Sequence, residues 1–214
     1  MVGRTDGMPF PTQAQVNPSL CVSCGICVGA CPSSTPFRRT QDLRTGIDLP
    51  ELSLKELRER VVRIAAGLKG SGRVLVLACE HGAAAERLEG TVVLPCVAMA
   101  PPSLIDFVLS RNLADGVAVA GCAESACYNR LGVTWTEQRL AGERDPYLRA
   151  RVPRERIATI WASAIATKRA ESGIASFAAR LAALPSKPLR SPLPASAASR
   201  PAKFREPAEV RGEP

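Results

Sequence analysis

Three short apolar runs constrain this chain more than anything else in it: 73–79 (RVLVLAC), 91–96 (TVVLPC) and 116–122 (GVAVAGC). Each is rich in Val, Leu or Ala, lacks polar alternation and is bounded by turn residues, the pattern of a strand covered on both faces. A fourth run, 156–161 (RIATIW), resembles them but ends without a Cys.

Helical patterns surround these runs. Ser53-Leu54-Lys55-Glu56 is a capping-box sequence, after which Leu54, Leu57, Val61, Ile64, Ala65 and Leu68 recur at helical spacing before Gly70. Shorter patterns cover 83–88, 104–113 behind a Ser103-x-x-Asp106 cap, and 136–143. The longest runs over 168–184, with Ile174, Phe177, Ala178, Leu181 and Leu184 on one face. Buried strands alternating with helices imply an α/β fold: a small, mostly parallel sheet with flanking helices and right-handed crossovers.

That topology gathers cysteines. Cys79, Cys96 and Cys122 each fall at the last position of an expected parallel strand, and open α/β sheets bind ligands just beyond those carboxyl ends. Cys127, separated from Cys122 by the four-residue loop 123–126, folds back to supply a fourth thiol. Any one of these reads by default as a small buried hydrophobe. Four at one sheet edge read as a metal site, and four thiolates suit a 2Fe-2S cluster or zinc. His81, the chain's single His, is read as a bystander.

A second constellation precedes the sheet. Residues 21–32 (CVSCGICVGACP) spell C-x2-C-x2-C-x3-C-P, the cysteine run of bacterial iron-sulfur ferredoxins. Two residues between thiolates let one tight loop reach several corners of a cubane cluster, and Gly25 and Gly29 permit the turns. Zinc sites more often use two separated Cys pairs, and no secretion leader favours a disulfide knot. In two-cluster ferredoxins the fourth Cys ligates the other cluster, yet the chain holds no second copy of the run. Either Cys31 closes the same cluster or it serves another purpose. The expectation is a single 4Fe-4S cluster on Cys21, Cys24, Cys27 and Cys31.

Three segments follow: a 4Fe-4S ferredoxin-type segment at 1–50, an α/β domain at 51–184 and a tail at 185–214. The tail holds seven of the 18 Pro and too little apolar surface to fold alone, so a disordered tail is expected. Residues 33–50 read equally as a linker or as a wrap over the cluster. Eight Cys without an apolar leader or an apolar run of about 18 residues point to a reducing cytoplasm and no membrane span. The net charge of +8 is scattered and aromatic content is only 4%, which argues against a nucleic-acid partner. A basic surface also suits docking of an acidic electron-transfer protein.

The region 74–184 resembles the delta, or iron-sulfur, subunit of methyl-viologen-reducing hydrogenase, a family associated with heterodisulfide reductase. The marks are strands ending in Cys79 and Cys96, the segment 115–128 (DGVAVAGCAESACY), and the closing pattern around Trp161, Ser163 and Phe177. The resemblance implies a 2Fe-2S cluster and passage of electrons between a hydrogen- or formate-oxidising enzyme and a flavin subunit. Family members often carry a further Cys where this chain has Gly82, and the 21–32 run is an added module.

The expected function is therefore an iron-sulfur electron-transfer subunit of a hydrogenase- or heterodisulfide reductase-like complex. It would relay single electrons between a 4Fe-4S and a 2Fe-2S cluster, with a flavoprotein or a hydrogenase- or dehydrogenase-like subunit as partner. No nucleophile–base pair or phosphate loop supports independent substrate chemistry. The rival readings are an iron-sulfur redox-sensing binding protein and a zinc-stabilised scaffold.

Overall fold

The computed structural model describes residues 2–3, 12–13, 17, 19–31, 47–49, 51–84 and 88–185. Two short strands, β1 (Val2–Gly3) and β2 (Thr12–Gln13), pair antiparallel ahead of the cysteine run. Within that run lies α1 (Ile26–Ala30).

The first long helix, α2 (Leu54–Gly67), starts on the expected capping box. Ser53 Oγ accepts from the Glu56 amide at 3.2 Å, and the Glu56 carboxylate accepts from the Ser53 amide at 2.8 Å. Leu54, Leu57, Val61 and Ala65 form its buried stripe.

Four strands follow: β3 (Val74–Cys79), β4 (Thr91–Leu94), β5 (Gly116–Gly121) and β6 (Ile157–Trp161). All pairings are parallel and the order is β4-β3-β5-β6. The chain thus leaves β3 in one direction to place β4 and returns past it to place β5. Such a reversal opens a crevice at the carboxyl ends of the two central strands, here β3 and β5.

The period-2 alternation of β3 divides the core. Leu75, Leu77 and Cys79 join Val92, Leu94, Val117 and Val119 on the face covered by α2 and by α3 (Pro102–Ser110). Val74, Val76 and Ala78 join Ala118 and Ala120 on the opposite face, under Ile174, Phe177 and Leu181 of α5 (Thr167–Ala183). Burying a side chain such as Phe177 or Leu181 stabilises by about 1.5–3 kcal/mol. Between β5 and β6 lies α4 (Gly132–Ala141), closed by Gly142 in a left-handed conformation, φ 93°.

Several boundaries depart from the sequence reading. Pro101, and not Ser103, precedes the first turn of α3, because Pro102 with its fixed φ and missing N–H suits that position. Asp106 is instead an interior residue, buried and ion-paired with Arg151 and, at 3.7 Å, Arg149, while Ser110 Oγ donates to it at 2.7 Å. Strand β4 stops at Leu94, since Pro95 has no N–H to carry the ladder on, so Cys96 lies two residues beyond it. Cys122 lies one residue beyond β5, and only Cys79 is the last residue of its strand. The helix expected from residue 136 begins four residues earlier, at Gly132.

Ala83 and Ala84 lie in a turn and Leu88 in a bend where a short helix was expected; 85–87 are outside the described residues. So are 32–46, which carry most of the linker-or-wrap stretch, and 186–214, which carry nearly all of the expected tail. At 47–49 the chain is already on the body: Leu49 is buried, and the Asp48 carboxylate accepts from the Leu54 amide at 2.8 Å.

Candidate metal centres

The amino-terminal run bends through two residues with positive φ, Ser23 (53°) and Gly25 (72°), before entering α1. Cys27 is exposed, while Cys21, Cys24 and Cys31 are partly buried. The Ser23 amide donates to Cys21 Sγ at 3.3 Å. Burial pushes the Cys27 thiol upward, and the neighbouring charges of Cys24 and Cys21 add to that against the backbone amides that lower it. Three of the four thiols thus stand close enough to feel one another.

This loop is seated on the sheet domain. Between β4 and α3 runs a 3-10 turn, Val97–Met99, immediately after Cys96. Val28 of α1 is 0% exposed, and a Cβ added at Gly25 would lie 2.6 Å from Met99 Cγ. One added at Gly29 would lie 2.0 Å from the Ala98 carbonyl oxygen. Gly25 therefore serves the turn, as the sequence reading held, but Gly29 serves close backbone approach inside a helix.

At the sheet edge the four remaining thiols approach in pairs. Cys79 Sγ and Cys122 Sγ, from the ends of β3 and β5, are 3.7 Å apart and buried. Two thiolates on one tetrahedral metal at about 2.3 Å would stand roughly 3.8 Å apart. The other pair meets at the start of α4, where an added Cβ on Gly132 would lie 2.4 Å from Cys96 Sγ and 3.3 Å from Cys127 Sγ. Only a glycine there leaves both sulfurs their space.

Electrostatics link the pairs. Burial pushes the Cys79 thiol up to about 12, with Cys122 and Cys96 adding to it and the His81 amide opposing it. Burial likewise pushes Cys96 up to about 11; Cys127 and Cys24 add to it, while the Ala98 amide and the Asn129 side chain oppose it. Cys96 therefore feels a thiol of each constellation. Among the described residues no three or more His, Cys, Asp or Glu side chains converge into a closed metal-holding set. The structure brings together Cys79 with Cys122, and Cys96 with Cys127 about Gly132; it does not close either tetrad.

Other marked residues have structural work. His81 stacks on Tyr128, ring centroids 3.8 Å apart, and its Nε2 lies 3.3 Å from Glu80. Gly82 occupies a turn whose added Cβ would lie 3.2 Å from the Gly121 carbonyl carbon. Asp115 sits at the opposite edge of the sheet, where its carboxylate accepts from the Arg73 amide at 2.8 Å and from Arg73 Nη2 at 2.9 Å. Trp161 donates to Glu137 at 2.6 Å and lies over Gly121, where an added Cβ would be 2.7 Å from its ring.

The sequence reading missed Gly132, Met99 and Arg139. A glycine inside an otherwise helical pattern lowers helix stability and so often marks a close approach, a signal present at Gly29 and Gly132. Nothing local marks Arg139, an interior helix residue whose surroundings come from other elements.

The family model described as methyl-viologen-reducing hydrogenase, delta subunit, matches residues 78–185. A second, described as 4Fe-4S binding domain, matches residues 14–35. No curated protein matches the chain.

Proposed function

As this chain belongs to the methyl-viologen-reducing hydrogenase delta subunit family and carries a 4Fe-4S binding domain besides, we propose that it relays single electrons between two cysteine-held clusters within an oxidoreductase complex. Cys21, Cys24, Cys27 and Cys31 would hold the 4Fe-4S cluster, and Cys79, Cys96, Cys122 and Cys127 a 2Fe-2S cluster. The functional division would be 1–50 for the first, 51–184 for the second, and 185–214 as a tail that neither site needs.

The observation that carries this reading is the seating of α1 on the turn Val97–Met99, which makes the ferredoxin-type loop and the Cys96 segment neighbours. The donor set fits: eight thiols outside any disulfide, a 3.7 Å Sγ–Sγ separation at the topological switch, and a glycine cradle beside two sulfurs. When bound, an iron-sulfur cluster supplies one-electron storage at a potential set by hydrogen bonding, charge and burial.

The residues of the chain would do the rest. Cys79 and Cys96 must lose protons on loading, so assembly would favour higher pH. Val28 and Met99, both 0% exposed, would keep the junction between the loop and the Cys96 turn dry. The exposed Cys27 would offer an edge for a partner's electron, and Tyr128, next to Cys127 in sequence and 71% exposed, a second one. A flavoprotein or a hydrogenase- or dehydrogenase-like subunit would dock at these edges. Eight cysteines outside any disulfide support a reducing, cytoplasmic setting for this relay; no helix among the described residues is long and apolar enough to cross a membrane.

The test is anaerobic purification of the full chain with quantification of iron, sulfide and zinc, followed by EPR of the reduced protein. Two iron-sulfur signals, one lost in Cys24→Ala and the other in Cys122→Ser, are expected. Zinc in place of the second signal would end the relay reading and leave a zinc-stabilised scaffold.

A further inference from the structure

Arg139 is 2% exposed, one of the largest fully buried side chains in the molecule. A guanidinium stays charged at any physiological pH and buries at low cost only when an anion or a full set of acceptors meets it. Neither meets it here. Its Nη1 donates to the Ala98 carbonyl at 2.9 Å, its Nε has no partner, and no carboxylate pairs with it among the described residues. The adjoining cavity, lined by Val97, Ala100, Thr136 and Leu140 among others, measures about 10 Å³ and sits at the lower limit for one water.

The position of this lone cation is informative. Gly132, Thr136 and Arg139 fall at i, i+4 and i+7 along α4. Gly132 borders Cys96 and Cys127, and Arg139 reaches the Ala98 carbonyl, two residues past Cys96. The same Ala98 oxygen is the atom against which Gly29 of the ferredoxin-type loop is packed. Arg139 thus backs the turn at which the two thiol constellations meet. Burial, and after it the repulsion of Arg144, works against its charge, and Cys96, once deprotonated, is the group that favours it.

We propose that Arg139 is the buried counter-cation of the Cys96-containing site, a positioning residue that stabilises its reduced, more negative state and so draws electrons inward from the ferredoxin-type loop. This rests on the reading of Cys79, Cys96, Cys122 and Cys127 as one redox site. A fixed positive charge in a water-poor interior favours whichever state carries more negative charge, and reduction by one electron adds one. Removing the cation therefore lowers the potential of that site and leaves the more exposed amino-terminal site less affected.

The experiment uses the full chain, loaded anaerobically with iron and sulfide, as unsubstituted protein and as Arg139→Met, Arg139→Gln and Arg139→Lys. Potentiometric titration with dithionite, followed by EPR, reads both signals. Neutral replacements should shift the second signal negative by a tenfold change in the reduction equilibrium, about 59 mV for one electron. Arg139→Lys should keep most of the unsubstituted value. Melting is read in parallel, and the loss caused by Arg139→Met should be larger in the loaded than in the unloaded chain, since only the loaded site supplies the anion.

An unmoved second midpoint in the neutral variants overturns the proposal, as does an equal shift in Arg139→Lys, which would make shape and not charge the cause. Equal melting losses with and without iron, in samples of matched iron content, overturn it too. Absence of any second signal in the unsubstituted chain overturns the underlying site reading and this inference with it, which distinguishes the two failures.

Discussion

Replacing Gly29 with Ala tests the seating of the ferredoxin-type loop on the sheet domain. An added Cβ would stand 2.0 Å from the Ala98 oxygen and 2.9 Å from the Met99 oxygen. Both are backbone atoms, so no side-chain rotation relieves the contact. Ala98 must retreat by about 1 Å to restore even a 3.0 Å separation, and with it moves the turn that follows Cys96. Overpacking of this kind costs about 1–3 kcal/mol. The better helix propensity of Ala returns about 0.5–1 kcal/mol, which leaves a net loss of roughly 1–2 kcal/mol. If strain were larger, α1 would lift off, and the loss would be capped by re-exposure of Val28, about 1.5–3 kcal/mol. Native-state hydrogen exchange over 26–31 is the direct assay, with Gly67→Ala as control because nothing lies within 4 Å of its added Cβ. Gly29→Ala should speed exchange across α1 and slow electron passage between the two EPR species, while the control exchanges like the parent. Unchanged exchange at Ile26–Ala30, with an unchanged denaturation midpoint, would refute the packing argument.

Gly132→Ala should deplete the second EPR signal and spare the first, because its Cβ would press on Cys96 Sγ and then Cys127 Sγ; metal content per chain checks this. Asp106→Ala should destabilise by about 1–2 kcal/mol in chemical denaturation, since it strands Arg149 and Arg151, both about half exposed and still solvated. Asp115 gives an acid limb. Burial raises its carboxyl, but hydrogen bonds and charge from Arg73, with Arg156 behind, outweigh that and hold it below its ordinary value. Its contribution is therefore present above the unfolded value of about 3.9 and lost as pH falls through the depressed one. Asp115→Asn should flatten the stability–pH curve below about pH 4, as read by denaturation at stepped pH. Deleting 186–214 should leave the melting temperature of the body and both EPR signals in place.

What the sequence determined on its own was whatever depends on short-range pattern. Four strands were legible because apolar runs bounded by turns admit few other structures, and α2 because a capping box satisfies its own orphan amides locally. The cysteine run at 21–31 declares its chemistry through spacing alone, since one loop presents all four thiols. Even the gathering of Cys79 and Cys122 followed from parallel order, though the end of β4 was misjudged because Pro95 cuts the ladder two residues short of Cys96.

Tertiary structure decided what belongs to pairs of distant elements. No local pattern reports that Gly29 and Arg139 converge on one carbonyl oxygen 69 and 41 residues away respectively, at Ala98. Nor does it report that Asp106, which reads as a helix cap, is a buried anchor for Arg149 and Arg151. Close approach and buried charge are properties of packing, fixed only when the elements meet, whereas periodicity, capping and ligand spacing are written along one stretch of chain.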